Sequence, residues 1–129
     1  MKYCLDTDIV IDFLRNDEKI VDAINNLENE ELYITYITLC ELYKGVYLSN
    51  KQDYELKIIY DFINNIDLID FNVEACDFFG SEYARLSKEG KMTQESDLMI
   101  ASIAKVNDMV IITRNKKHFE NIRTKIEIW

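Results

Sequence analysis

Three carboxylates and one amide stand where the chain turns from strand or loop into helix. They are Asp6 after the strand-like Lys2–Leu5, Glu41 within the apolar run Ile37–Leu48, Asp97 in the helix start Glu95-Ser96-Asp97, and Asn115 just past the strand-like Val110–Ile112. Parallel strands gather their C-terminal ends at one rim, which is where open α/β sheets place their sites. Three carboxylates meeting there repel one another unless a cation lies between them. A divalent metal held by oxygen is the first expectation, and phosphodiester chemistry its most natural use.

Each residue also has a plainer role. One of Asp6, Thr7 and Asp8 caps the helix that follows them, but a helix needs one cap and three candidates are present. Asp6 is therefore assigned to the site, with Thr7 and Asp8 as cap or support. Glu41 interrupts Ile37-Thr38-Leu39-Cys40-Glu41-Leu42-Tyr43. It could pair with Lys44 three residues on, yet a carboxylate among so many apolar neighbours needs a partner. Gly45 costs that helix roughly 1 kcal/mol against alanine, which hints at a close approach there. Asp97 could cap its helix, although Ser96 or Thr93 could do so instead and leave it free for a metal. Asn115 is either a turn residue or a neutral fourth corner of the site. Thr113 is placed to hydrogen-bond a carboxylate or a water. His118 has no serine or cysteine partner that the sequence nominates, and is assigned to packing or to a basic strip.

The elements that would position these residues alternate. Strands are predicted at Lys2–Leu5, Leu32–Thr35, Ile66–Phe71, Val110–Ile112 and Lys125–Ile128, all short and mostly apolar, as buried parallel strands are. Helices are predicted at Asp8–Leu14, Glu18–Leu27, Ile37–Leu48, Tyr54–Asn64, Val73–Lys88 and Asp97–Lys105. In Val73–Lys88 the residues Val73, Cys76, Phe79, Tyr83 and Leu86 recur at helical spacing. In the last helix Ala101 and Ala104 share a face with Asp97, so close packing on the sheet would aim Asp97 inward. Alternating strands and helices imply an α/β fold with a parallel sheet.

Composition narrows the possibilities. At 129 residues with 48% apolar and 12% aromatic content, the chain is expected to be one domain with a real core. No apolar run reaches the roughly 18 residues of a bilayer span, and the acidic Asp6 comes too early for a signal peptide, so a cytoplasmic protein is expected. Cys4, Cys40 and Cys76 form no C-x-x-C pair, lie among apolar neighbours and are expected to be buried and reduced. With a single histidine, a structural zinc site is all but excluded. A net charge of −9 counts against a nucleic-acid binder. Locally, however, residues 114–125 carry Arg114, Lys116, Lys117, Arg123 and Lys125 against Glu120, a balance of +4 beside Asn115. That strip either meets phosphate or is a solvated face.

Four segments together carry a family resemblance. They are Leu5-Asp6-Thr7-Asp8-Ile9-Val10-Ile11-Asp12, Ile37-Thr38-Leu39-Cys40-Glu41-Leu42-Tyr43-Lys44-Gly45, Ser96-Asp97-Leu98-Met99-Ile100-Ala101 and Ile112-Thr113-Arg114-Asn115-Lys116-Lys117-His118-Phe119. In this order they resemble the motifs of PIN-domain ribonucleases, in particular the VapC toxins of toxin–antitoxin pairs, over essentially the whole chain. The resemblance implies a three-layer α/β/α fold with a mostly parallel sheet of about five strands, over residues 1–129. It also implies a magnesium- or manganese-dependent endoribonuclease, a homodimer, and a cognate antitoxin that blocks the site. Asp6, Glu41 and Asp97 match the family's acidic metal-site residues, and Asn115 stands where members carry a fourth acid or an asparagine. Thr7, Asp8 and Thr113 would support them, and Arg114, Lys116 and Lys117 would face RNA. Two rivals remain open. Asp6-Thr7-Asp8 after a strand also resembles the nucleophile and acid/base pair of HAD-type phosphatases. A catalytically idle domain could instead use Tyr43, Tyr47 and Tyr54 as a protein-binding patch, unless those tyrosines pack in the core.

Overall fold

The computed structural model describes residues 1–129. Five strands, β1 (Lys2–Leu5), β2 (Glu31–Thr35), β3 (Asp67–Ile69), β4 (Val110–Thr113) and β5 (Lys125–Ile128), form one sheet in the order β3-β2-β1-β4-β5. Every neighbouring pair is parallel. Seven helices connect them: α1 (Thr7–Leu14), α2 (Glu18–Asn25), α3 (Tyr36–Tyr47), α4 (Gln52–Ile63), α5 (Val73–Lys88), α6 (Glu95–Val106) and α7 (Lys116–Phe119).

Successive strand residues point to opposite faces, and this splits the core in two. Leu5, Ile34 and Ile112 pack with Ile9 and Val10 of α1, Leu39, Leu42 and Val46 of α3, and Ile59 of α4. Their neighbours Cys4 and Ile111 pack instead with Leu86 of α5, Leu98, Ile100, Ala101 and Ala104 of α6, and Phe119 of α7. The result is the three-layer α/β/α arrangement expected from the sequence. Sheet order then decides where a site can form. The chain steps outward from β1 through β2 to β3, then crosses to the other side of β1 for β4 and β5. The strand order therefore reverses between β1 and β4, the switch point at which open α/β sheets open a crevice. Leu5 pairs with Ile112, so Asp6 and Thr113 leave the sheet side by side.

Several expectations are corrected. The stripe on α5 is rotated: Val73 is 87% exposed and Tyr83 is also exposed, while Ala75, Glu82 and Leu86 are buried. The buried face includes a glutamate, which an apolar pattern cannot reveal. Glu82 is only 3% exposed and is held by a two-pronged pair with Arg85, both contacts at 2.8 Å, and by the Arg123 N–H at 3.0 Å. Those donors pull its carboxyl below the usual range, the Arg85 hydrogen bonds foremost. Only Cys4 is buried, its thiol pushed up to about 12 by burial and by the charge of Asp6. Cys40 and Cys76 are exposed, because apolar neighbours in sequence lie on other faces of a helix. Gly45 has nothing within 4 Å of where a Cβ would stand, so no close approach explains it. The one-turn α7 falls inside the basic strip, where the sequence pattern predicts no helix.

Candidate active site at the carboxyl rim of the sheet

Asp6 is the residue around which the rim is built. It is 4% exposed and caps α1, its Oδ1 accepting from the Thr7 N–H at 2.8 Å. Its Oδ2 accepts from the Thr113 hydroxyl at 2.7 Å, a bond that spans the switch point. Burial raises the Asp6 carboxyl to about 7, helped by the charge of Asp8 and to a lesser degree Asp97; the Thr113 and Thr7 hydrogen bonds pull the other way. Capping and a role in the site are thus not alternatives here. A carboxylate has about four lone-pair positions, and two donors leave room for another ligand.

Glu41 arrives from α3, whose start is set by Thr35: its hydroxyl accepts from the Thr38 N–H at 3.2 Å. The Thr7 hydroxyl donates to Glu41 Oε1 at 2.8 Å and lies 3.0 Å from Thr38 Oγ1. One hydroxyl proton cannot serve both neighbours, and an ionised carboxylate only accepts. Thr7 therefore donates to Glu41 and receives from Thr38. The plainer alternative, a Glu41–Lys44 pair, is not the partnership the structure makes.

Asp97 sits in the first turn of α6, whose N-cap is Gln94 with no side-chain cap bond, so neither Ser96 nor Thr93 caps and Asp97 is not a cap either. It is 6% exposed. Its Oδ2 is wholly buried without a hydrogen-bond partner, and His118 Nδ1 stands 3.1 Å away. The two atoms face each other at ion-pair distance, without the directionality of a finished hydrogen bond. Burial raises the Asp97 carboxyl to about 6, offset by His118 and reinforced by the charges of Glu41 and Asp8. Asp6, Asp8, Glu41 and Asp97 therefore share one electrostatic neighbourhood.

Asn115 and the basic residues lie otherwise than the sequence suggested. Asn115 Nδ2 donates to Asp8 Oδ2 at 2.8 Å, tying the β4–α7 connection to α1 rather than standing as a free corner. Arg114 donates from its backbone N–H to the same oxygen at 3.3 Å, and its Nη1 meets Asp12 Oδ2 at 2.6 Å. Asp8 and Asp12, four residues apart on α1, form one acidic face for this loop. The rest of the strip disperses: Lys125 pairs with Asp108 at 3.1 Å, and Arg123 turns towards Glu82. Lys116 and Lys117 remain exposed beside the rim. His118, Asp12 and Thr38 are the members that sequence reasoning missed. His118 lies three residues after Asn115, which stands at the N-cap of the short helix α7, a spacing that could have nominated it.

The chemistry of this donor set suits a hard cation. Oxygen ligands dominate, and two carboxyls are held high by burial and by neighbouring carboxylates. No three acidic or imidazole groups converge tightly enough to ligate an ion by themselves. Magnesium keeps several waters and needs only one or two protein carboxylates, so three converging ligands are not required. Away from the rim, a cleft of about 530 Å³ opens between α1, α3 and α4, lined by apolar residues such as Ile11, Leu14, Val46 and Ile58 and by the polar Arg15, Asn16 and Glu55. Tyr47, Leu48 and Tyr54 are exposed beside it, so core packing accounts for Tyr43 alone of the three tyrosines considered above.

Comparison with known proteins agrees with this architecture. The family profile described as PIN domain matches residues 3–125. Ribonuclease VapC2 of Haemophilus influenzae is 30% identical over 130 aligned residues, covering 100% of this chain and 98% of that protein. The tRNA(fMet)-specific endonuclease VapC of Shigella flexneri is 31% identical, covering 95% of this chain and 92% of its own. The crystal structure of VapBC2 from Rickettsia felis, bound to a DNA fragment from its promoter, superposes with a TM-score of 0.93 at 27% identity. It covers 100% of this chain and 99% of that one.

Proposed function

Because this chain belongs to the PIN domain family, we propose that it is a divalent-metal-dependent endoribonuclease, the toxin of a toxin–antitoxin pair. The observation that carries the proposal is the cluster of Asp6, Asp8, Glu41 and Asp97 at the switch point, with two of the four carboxyls raised by burial and by one another. Family membership removes the support for a HAD-type phosphatase, and an idle module would carry this repulsion without using it.

In the proposed mechanism Asp6, Asp97 and Glu41 hold magnesium or manganese, directly or through water. When bound, the ion lowers the pKa of a water and neutralises charge on the scissile phosphate. Thr113 and the Thr7 N–H fix the plane of the Asp6 carboxylate. Thr7 holds Oε1 of Glu41, which leaves Oε2 to accept from the attacking water and orient it. Asn115 keeps Asp8 turned towards the β4–α7 connection, and that places Lys116 and Lys117 beside the rim for the RNA backbone. Arg114 joins them only on leaving Asp12.

Two relatives carry the name tRNA(fMet)-specific endonuclease, which makes initiator tRNA the first substrate to test. The neighbouring structures are VapBC complexes, and we assign this chain a cognate antitoxin that blocks the site, together with a homodimeric state. No helix is long and apolar enough to cross a membrane, and cytoplasmic RNA is the proposed target. The deciding experiment incubates metal-stripped protein with tRNA and total RNA while magnesium or manganese is titrated in. Cleavage should appear with metal, vanish with chelator and be lost in Asp6→Asn. Chelator-insensitive cleavage by pure protein would overturn the metal mechanism, and no cleavage of any RNA would overturn the enzyme.

A further inference from the structure

His118 is the chain's one histidine, and its position is built by the fold. The helix that carries it, α7, is pinned at one end by Phe119, which is buried among Leu98, Ala101 and Ile111. At the other end Asn115 grips Asp8 at 2.8 Å. Between these two anchors the imidazole Nδ1 comes to 3.1 Å from Asp97 Oδ2. That oxygen is fully buried, and no group in the protein completes a hydrogen bond to it. The Asp97 side chain keeps 9% of its surface accessible, so whatever it offers to the rim is not Oδ2. A carboxylate with one oxygen enclosed beside an imidazole and the remainder open to a cleft is oriented, not merely buried.

We propose that His118 is a positioning residue for the metal site: its imidazole Nδ1, 3.1 Å from Asp97 Oδ2, takes up that oxygen when the ion binds, so that the carboxylate presents its other oxygen to the ion. This rests on the metal-dependent reading given above. Partners that orient ligating carboxylates carry a large share of metal affinity, and losing one typically weakens binding 10–100-fold. The imidazole is part of the site through Asp97 and needs no contact with RNA to act. Its side chain is 41% exposed, so replacing it leaves the core of the fold intact.

The test uses manganese alone as the probe, with binding followed by the electron paramagnetic resonance of the free ion, on metal-stripped parent, His118→Phe and His118→Asn. Asparagine keeps an N–H donor near the place of Nδ1, whereas phenylalanine keeps the ring and loses the donor. His118→Phe should bind manganese roughly 10–100-fold more weakly, with a melting temperature in chelator no lower than the parent's. His118→Asn should recover most of the lost affinity. Parent-like affinity in His118→Phe overturns the inference while leaving the metal site standing. So does an equal loss in both variants, which would assign the effect to ring packing. A parent chain that takes up no manganese would overturn the metal reading itself, and the inference with it.

Discussion

At the scale of single residues, the rim is a set of carboxylates whose free energies are tied to pH. Asp6 and Asp97 bind their protons more tightly in the folded chain, at about 7 and about 6, than their ordinary value of 3.8. Folding without metal therefore takes up protons between about pH 4 and 7, and the empty protein loses stability as pH rises through that window. In chelator, Asp97→Asn should match the parent near pH 4 and exceed it at pH 8. The gain should be at most about 3 kcal/mol, since each tenfold change in proton affinity is worth roughly 1.4 kcal/mol; denaturant titrations at the two pH values measure this. Cleavage by Asp97→Asn should be lost even so, and retained activity would remove Asp97 from the site. Thr113 gives a second residue-level expectation. Thr113→Val keeps the shape but deletes the donor to Asp6 Oδ2 and the acceptor of the Asn115 N–H. It should cost about 1–3 kcal/mol at pH 8, where Asp6 is ionised, and should weaken metal binding as well. An unchanged denaturation midpoint would show that the hydroxyl matters little.

At the scale of elements, α7 has four residues yet carries both lysines and the histidine of the rim. A single turn has little stability of its own, so its tertiary anchor decides whether those side chains are in place. Phe119 is that anchor, and Phe119→Ala should cost about 3–5 kcal/mol. If α7 is held as described, RNA binding should fall further in this variant than loss of the two lysines alone would explain. Lys116 and Lys117 have no acidic partner, whereas Arg114 is engaged by Asp12 at 2.6 Å. Replacing both lysines by glutamine should flatten the salt dependence of RNA binding by about 1.4 on a log–log plot, taking about 0.7 per phosphate contact on a single strand. Arg114→Gln should change that slope less, because in this conformation the guanidinium is already committed to α1. Equal slopes in the parent and the double variant would make the lysines a solvated face.

At the scale of the whole molecule, a net charge of −9 is an obstacle for a chain that handles RNA. The structure eases it by arrangement: Arg123 and Lys125 are drawn off to Glu82 and Asp108, while Lys116 and Lys117 stay at the rim. In the proposed mechanism a bound cation completes the compensation. An ion that binds the folded chain and relieves repulsion there should, at 100 times its dissociation constant, stabilise the protein by about 2.7 kcal/mol. The rise in melting temperature should be larger at pH 8 than at pH 5, because protons compete for Asp6 and Asp97 at the lower pH. A metal effect of the same size at both values would place the binding elsewhere.

What the sequence determined by itself is local. Short apolar strands, each followed by a helical pattern, carry the parallel α/β fold in their periodicity, and a carboxylate just past β1 or in the first turn of α6 declares itself by position. Five strands and the positions of Asp6 and Asp97 were legible for that reason, Glu41 was legible as a carboxylate in an apolar run, and the three layers came from the family resemblance of the motifs. What only the tertiary structure decided are the pairings. Thr113 and Asp6 lie 107 residues apart, and they meet because sheet order sets β4 beside β1, a fact that no window of sequence contains. The same holds for Asn115 on Asp8, Arg114 on Asp12 and His118 beside Asp97. The buried face of α5 was also decided there. Glu82 can turn inward because Arg85 and a backbone N–H from a distant loop neutralise its charge, and an apolar count assigns every carboxylate to water. Periodicity reports which way a segment could face; the partner that makes burial of a charge tolerable is chosen only when the layers close.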